Sequence, residues 1–160
     1  MHLGSHSRTV WYVNSANAVE IGAPAELVWD VFTAVERWPH WTPTVTEAVG
    51  LDGPAIAVGN RFAITQPRLP RLVWEVTEVD PGTSWTWRAR AFGAESLAGH
   101  DVTPIGAERT VVRQRIAQRG VLGVLSAITM RRLVRRYLAL EAGGLKRHVE
   151  DLYRSGATSS

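Results

Sequence analysis

A change of hydrophobic period near residue 120 constrains the fold more than any other feature of this sequence. From Gly120 to Tyr153, apolar residues recur at steps of three to five, which is typical of one long helix. Upstream, short turn sequences rich in Gly, Pro and Asp separate six strand-like segments: 44–51, 58–66, 71–79, 83–91, 96–103 and 109–118. Because the gaps between these segments are short, the pattern predicts antiparallel hairpins.

The first forty residues add one more strand and two short helices. Residues 10–21 alternate like a strand with Glu20 on the outer face, and the sequence around Pro24 begins a helix. Val35 to Trp41 predicts a second short helix. The whole order predicts an α+β fold, in which a curved antiparallel sheet of six or seven strands wraps around the long C-terminal helix. Such an arrangement leaves a space between sheet and helix where an apolar ligand can bind.

The length of 160 residues is that of one domain. We expect a disordered arm at 1–9, a single domain at 10–153 and a disordered tail at 154–160. Seven Trp, against three Phe and three Tyr, are unusual and often line a binding surface.

Several classes of function lack support in this sequence. There is no cysteine, which excludes disulfides, thiolate metal sites and cysteine nucleophiles. No nucleotide-binding, zinc-hydrolase or serine-hydrolase motif occurs, so no cofactor or metal is expected. The net charge of +3 does not indicate a nucleic-acid-binding protein. The longest apolar stretch has about ten residues, against roughly 20 for a membrane span, so we expect a cytoplasmic protein. The oligomeric state is left open.

Two segments near the N-terminus carry a family resemblance. Residues 19–31 read VEIGAPAELVWDV, and residues 35–41 read VERWPHW. Together with residues 72–81, LVWEVTEVDP, they resemble the START-like (SRPBCC) superfamily of helix-grip proteins. That superfamily includes polyketide cyclases, lipid-transfer START domains, coenzyme-Q-binding proteins and plant allergens. The resemblance implies a helix-grip fold but leaves the function open, because the superfamily hosts many functions.

The parity of the strands sorts the tryptophans. Trp74 shares a face with Val76 and Glu78, and the resemblance to aromatic polyketide cyclases implies that this face points into the cavity. Trp85 and Trp87 share one face of the next strand, and Arg88 and Arg90 share the other, which favours Trp inside and Arg in solvent. The predicted ligand-binding residues are Trp38, Trp74, Val76, Trp85, Trp87, His100, Tyr137, Leu140 and Glu141.

Four residues are candidates for chemistry. His100 lies among small residues of a strand and could act as an acid or base. Glu141 lies on the apolar face of the last helix, where burial would raise its pKa; the alternative is a slightly rotated helix with Glu141 paired to a surface Arg. Tyr137 could donate a hydrogen bond to substrate, and the resemblance implies that Arg90 matches a pocket arginine of the cyclases. Gly143 and Gly144 follow Glu141 and would allow a close approach by sheet or ligand, or a kink.

The resemblance also implies that the catalytic set of the cyclases is incomplete. Thr42, Thr44 and Val45 occupy the loop where those enzymes have aromatic residues. The position of a pocket arginine falls near Val79 and Asp80.

A basic cluster lies on the last helix at Arg131, Arg132, Arg135 and Arg136. It is either a solvated face or a contact for an anionic protein or membrane surface.

The sequence therefore leaves three hypotheses about function. The first is a protein that binds a hydrophobic small molecule, aromatic, polyketide-like or lipid-like, in the internal cavity. The second is a polyketide cyclase or aromatase that uses His100 or Glu141 as its base. The third is a regulatory interaction module with a vestigial cavity.

Overall fold

The computed structural model describes residues 12–157, and the predicted arm at 1–9 lies outside this range. Its strands are β1 (Tyr12–Ile21), β2 (Glu47–Gly50), β3 (Arg61–Thr65), β4 (Leu72–Asp80), β5 (Ser84–Ala91), β6 (Ala94–Gly106) and β7 (Arg109–Arg119). Its helices are α1 (Ala25–Thr33), a 3₁₀ helix (Val35–His40) and α2 (Val121–Ala157). The predicted order of elements is confirmed.

The seven strands form one antiparallel sheet in the order β1-β7-β6-β5-β4-β3-β2. Because β1 and β2 lie at opposite edges, α1 and the 3₁₀ helix carry the chain from one edge to the other. Helix α2 packs against β1, β7 and β6. The fold is the predicted α+β helix grip, a curved sheet around a long C-terminal helix.

The hydrophobic core lies between the sheet, α1 and the C-terminal half of α2. Phe32 of α1, Trp85 of β5 and Val149 of α2 are all buried. The indole Nε1 of Trp38 donates a hydrogen bond of 2.9 Å to the carbonyl of Phe32, which ties the 3₁₀ helix to α1. This packing fixes the loop that follows the 3₁₀ helix beside α2.

Two details differ from the sequence-based expectations. Glu78 is exposed and does not share the buried face of Trp74 and Val76, because a register shift between Val76 and Glu78 reverses the alternation of β4. The tail was predicted to begin at residue 154, but α2 continues to Ala157. There Arg154 pairs with Asp151, and the Ser155 hydroxyl donates a hydrogen bond to the Asp151 carbonyl.

None of the helices within residues 12–157 combines the length and the apolar composition needed to cross a bilayer.

Candidate functional site

A cavity of about 400 Å³ lies between the sheet and α2. Volumes of this order accommodate drug-sized ligands. Its walls come from β3 to β7, from the loops around residues 45 and 66–70, and from α2. The lining includes Trp38, Gln66, Trp74, Trp87, Ala89, Ala91, Phe92, Ala94, Ser96, Ala98, His100, Gln114, Gln118, Leu122, Tyr137 and Glu141.

Small side chains on the two central strands account for the open space. The inward positions of β5 after Trp87 and of β6 before His100 are Ala89, Ala91, Ala94, Ser96 and Ala98. These residues face one another across the ladder, since Ala89 pairs with Ser96 and Ala91 pairs with Ala94. A strand with only methyl or hydroxymethyl groups on its inner face leaves room that larger side chains would fill.

Tryptophans form the wall at the inner part of the cavity. The ring centroid of Trp87 lies 5.4 Å from that of Trp74 and 5.5 Å from that of Trp38. All three side chains are nearly buried, which makes them flat apolar surfaces fixed in place by their neighbours. Such surfaces suit the faces of an aromatic ligand.

Glu141 is the centre of a buried polar network. Its Oε1 accepts a hydrogen bond of 2.9 Å from the Thr44 hydroxyl, and its Oε2 accepts one of 2.9 Å from the Gln114 amide. The Thr42 hydroxyl lies 2.9 Å from that of Thr44 and extends the network into the loop. Only 8% of Glu141 is exposed. The alternative of a rotated helix with Glu141 bound to a surface arginine is therefore wrong.

Burial raises the pKa of the Glu141 carboxyl, although the hydrogen bonds from Gln114 and Thr44 act in the opposite direction. No cation pairs with this carboxyl among the ion pairs of residues 12–157. A carboxyl held by neutral donors in an apolar site is a stronger base than an ordinary glutamate.

His100 lies next to this network. It is the cross-strand partner of Gln114, and its ring stacks on Trp85 at a centroid distance of 4.1 Å. Burial lowers the pKa of His100 to about 3, although the backbone of Trp85 acts in the opposite direction; the positive charge of Arg115 adds a smaller lowering. Its Nδ1 has no hydrogen-bond partner among the described residues. At neutral pH this imidazole is uncharged and keeps a free polar atom.

The opposite end of the cavity opens to solvent. Phe92 is 77% exposed and Leu122 is 52% exposed, and both line the cavity where β5, β6 and α2 meet. Tyr137, one turn of α2 before Glu141, donates a hydrogen bond to the carbonyl of Pro67 in the loop after β3. His100 is six residue steps along β6 from Ala94 at the mouth, which corresponds to about 20 Å.

The structure brings six of the nine predicted ligand-binding residues to the cavity wall: Trp38, Trp74, Trp87, His100, Tyr137 and Glu141. Trp85 and Val76 belong to the core behind this wall. Leu140 lies about 100° around α2 from Glu141 and away from the lining.

Arg90 does not reach the cavity, and its assignment as a catalytic candidate is wrong. It points to the outer face of the sheet, where its side chain is 64% exposed and lies 3.7 Å from Glu95. The strand alternation that buries Trp85 and Trp87 places Arg88 and Arg90 outside.

Sequence reasoning missed Gln114 and the role of Thr44. Gln114 lies between Val112 and Ile116 on the inward face of β7. A polar residue at this position of an otherwise apolar face was the signal that the sequence offered. Thr44 was noted only as a departure from the cyclases, whereas the structure bonds it to Glu141.

The close approach expected at Gly143 and Gly144 occurs at the second glycine. A Cβ on Gly144 would lie 2.1 Å from the carbonyl oxygen of Trp41. The loop after the 3₁₀ helix, rather than the sheet, makes this approach.

The four arginines at 131, 132, 135 and 136 are exposed, and no ion pair within residues 12–157 involves them. Across the same described range, no cluster of three or more His, Asp or Glu side chains could hold a metal ion.

A family model described as polyketide cyclase / dehydrase and lipid transport matches residues 13–150. No curated protein sequence gives a significant match.

Many solved structures are similar to this chain, among them the following three. The ZhuI aromatase/cyclase from Streptomyces sp. R1128 has a TM-score of 0.73 at 14% identity, covering 88% of this chain and 94% of the other. A START superfamily protein from Mycobacterium smegmatis has a TM-score of 0.69 at 19% identity, covering 86% and 97%. Norcoclaurine synthase from Thalictrum flavum, in complex with dopamine and hydroxybenzaldehyde, has a TM-score of 0.68 at 17% identity, covering 89% and 88%. At these identities the similarity concerns the fold alone.

Proposed function

The chain belongs to the polyketide cyclase/dehydrase and lipid transport family of the START-like superfamily, and on that premise we propose that it binds a hydrophobic, aromatic or polyketide-like small molecule in the cavity under α2. The ligand lies between the tryptophan wall and the helix. Its polar end contacts Glu141 and His100.

The observation that carries this proposal is the space left by the inward alanines of β5 and β6. An interaction module with a vestigial cavity has no use for such a space, because filling it with larger side chains would stabilise the fold. Here about 400 Å³ stays open between Trp87 and the mouth, with Glu141, Gln114 and His100 at the inner end and the hydrogen-bonded pair Ser96 and Gln118 nearer the mouth. An elongated ligand that enters from the mouth fits this space.

The test is a titration of the protein's tryptophan fluorescence with aromatic polyketides, quinones and fatty acids. We expect saturable quenching or a blue shift, because the binding surface includes Trp38, Trp74 and Trp87. In Ala98→Leu the added side chain occupies the cavity, and we expect binding to weaken at least about tenfold. A folded protein that responds to no member of the panel would contradict the proposal.

The matched control is Val73→Leu on the outer face of β4, where the side chain is 44% exposed. It adds volume without touching the cavity, so it should bind like the unmodified protein. Equal loss of binding in both variants would show that Ala98→Leu acts through the fold rather than the cavity.

Glu141 favours a second candidate function, cyclisation of a poly-β-ketone. Its raised pKa makes it a better base than His100, whose pKa of about 3 makes it a weak one. In this reaction the Glu141 carboxylate takes an α-proton, and the resulting enolate forms a carbon–carbon bond with a second carbonyl of the same chain. The oxygen of that second carbonyl becomes a hydroxyl by accepting the proton that Glu141 removed, which regenerates the carboxylate.

Mass analysis and chromatography of the same mixtures separate the two functions. A carrier returns its ligand unchanged, whereas a cyclase returns an isomer or a dehydrated product. We expect Glu141→Gln to abolish any such turnover while ligand binding persists. Turnover that survives in Glu141→Gln would remove this carboxylate from the mechanism.

The basic cluster supports a further part of the proposal. Four arginines without an acidic partner in residues 12–157 fit an anionic membrane surface, with the exposed Leu125 and Ile128 beside them. An acidic protein is the alternative partner.

A further inference from the structure

The inner end of the cavity offers hydrogen-bond acceptors but no positive charge. Each carboxylate oxygen of Glu141 accepts one hydrogen bond from the protein, and a carboxylate has about four acceptor positions. Two of these positions therefore stay available to a ligand. The neighbouring His100 lines the same cavity and, with a pKa of about 3, adds no positive charge at neutral pH.

The basic side chains near the cavity point elsewhere. Arg115 is the one basic residue in the described lining; its side chain is 57% exposed and lies 3.1 Å from Asp101. Its charge is thus neutralised at the outer surface. Arg90 lies on the outer face beside Glu95. An anionic ligand group at the inner end would lie near Glu141 without a cation to offset its lost hydration.

We infer that the cavity selects ligands whose inner end is an uncharged hydroxyl group and rejects those whose inner end is a carboxylate. This inference rests on the proposed function, since it names the class of ligand for the same site. A hydroxyl carries no charge and donates one hydrogen bond, which matches the free acceptor positions of Glu141 and requires no cation at the inner end. The tryptophan wall then receives the aromatic body of the ligand.

The Glu141 carboxyl is itself buried without a cationic partner, and this also supports the selectivity. The raised pKa of Glu141 shows that the site already disfavours one negative charge. A second carboxylate in the same space would compete with the first for the same donors, Thr44 and Gln114.

The experiment compares three probes of one size by isothermal titration calorimetry at pH 7: 2-naphthol, 2-naphthoate and 2-naphthylmethylammonium. We expect 2-naphthol to bind at least about tenfold more tightly than 2-naphthoate. In Glu141→Gln, where the amide can donate to a carboxylate, the ratio of the two affinities should fall at least about tenfold. Glu78→Gln is the control, because Glu78 is exposed on the far side of the β4 bulge and should leave the ratio unchanged.

Three outcomes would overturn the inference. Binding of 2-naphthoate as tight as that of 2-naphthol, with the cavity still blocked by Ala98→Leu, would refute the selectivity and leave the proposed function intact. If the ammonium probe bound more tightly than 2-naphthol, the inner end would select a cation rather than a hydroxyl group. If none of the probes binds and the panel of polyketides, quinones and fatty acids also fails, the proposed function fails together with the inference.

Discussion

At the scale of single residues, burial acts on Glu141 and His100 in opposite directions and for the same reason. It penalises the charged form of each side chain, so the pKa of the acid rises and the pKa of the base falls. Both groups line the same cavity, His100 from the sheet and Glu141 from α2, with Gln114 hydrogen-bonded to Glu141 and paired across the ladder with His100. The inner end of the cavity therefore favours neutral partners.

Glu141 should make the stability of the protein depend on pH. Because its pKa is raised in the folded state, its contribution is fully present below the pKa of the unfolded chain and is lost as the pH rises through the folded pKa. We expect the difference in unfolding free energy between Glu141→Gln and the unmodified protein to shift in favour of the variant from pH 5 to pH 8. Urea denaturation at both pH values measures this difference. A constant difference would show that Glu141 is not desolvated.

His100 should give the opposite dependence. Its pKa falls from 6.5 to about 3 in the folded state, so its contribution is present above pH 6.5 and is lost as the pH falls toward 3. The loss approaches about 1.4 kcal/mol per pH unit within that window. We expect His100→Phe, which keeps a ring against Trp85, to lose less stability than the unmodified protein between pH 7 and pH 5.

Urea denaturation of His100→Phe and of a control, His40→Gln, tests this expectation. His40 is exposed, so its replacement should leave the acid sensitivity unchanged. If His100→Phe and the unmodified protein lost the same stability between pH 7 and pH 5, the buried imidazole would be protonated in the folded state.

At the scale of elements, the contact between α2 and the loop after the 3₁₀ helix determines where Glu141 lies. Gly144 allows the helix to approach the Trp41 carbonyl, and Thr44 follows three residues later in the same loop. A methyl group at Gly144 would push the helix away from the loop and lengthen the bond from Thr44 to Glu141.

The adjacent glycines of α2 provide a matched pair of variants. Gly144→Ala should destabilise the protein by about 1–3 kcal/mol, because its Cβ would meet backbone at 2.1 Å. Gly143→Ala meets only the end of the Arg147 side chain at 3.3 Å, so the better helix propensity of Ala should stabilise it by up to about 1 kcal/mol. Thermal or urea denaturation compares the two, and equal effects would contradict this packing.

Strand parity predicted faces well except where the ladder is irregular. The alternation in β5 correctly placed Trp85 and Trp87 inside and Arg88 and Arg90 outside. In β4 the same reasoning wrongly placed Glu78 inside. The bulge that turns Glu78 outward depends on the pairing with β5 and cannot be recognised from the sequence of β4 alone.

At the scale of the whole molecule, the sequence predicted the fold but only part of the site. The change of hydrophobic period and the turn sequences were enough for the order of elements, because burial of one sheet face requires the long helix. The bond between Gln114 and Glu141 joins residues 27 positions apart. Such a contact depends on how far α2 is rotated and shifted on the sheet, and periodicity does not specify this within one residue.

The basic cluster predicts a surface interaction of the whole protein. We expect it to sediment with vesicles containing anionic lipid, and to do so less as salt is added. Replacing Arg131, Arg132, Arg135 and Arg136 by Gln should reduce this binding at least about tenfold, because each arginine near such a surface contributes about 1 kcal/mol. Arg113→Gln, an exposed arginine of β7, is the control. Unchanged sedimentation of the fourfold variant would remove the membrane from the proposal.

The two halves of α2 differ in how many apolar side chains they bury against the rest of the protein. Leu145 and Val149 are buried, whereas Leu122, Leu125 and Ile128 are more than half exposed. Fewer apolar contacts mean a lower free energy of local opening. The amide hydrogens of residues 121–134 should therefore exchange with deuterium well before those of residues 138–150, and a bound ligand should slow the first group more than the second. A cavity that is nearly closed at its inner end can then admit its ligand without unfolding the protein.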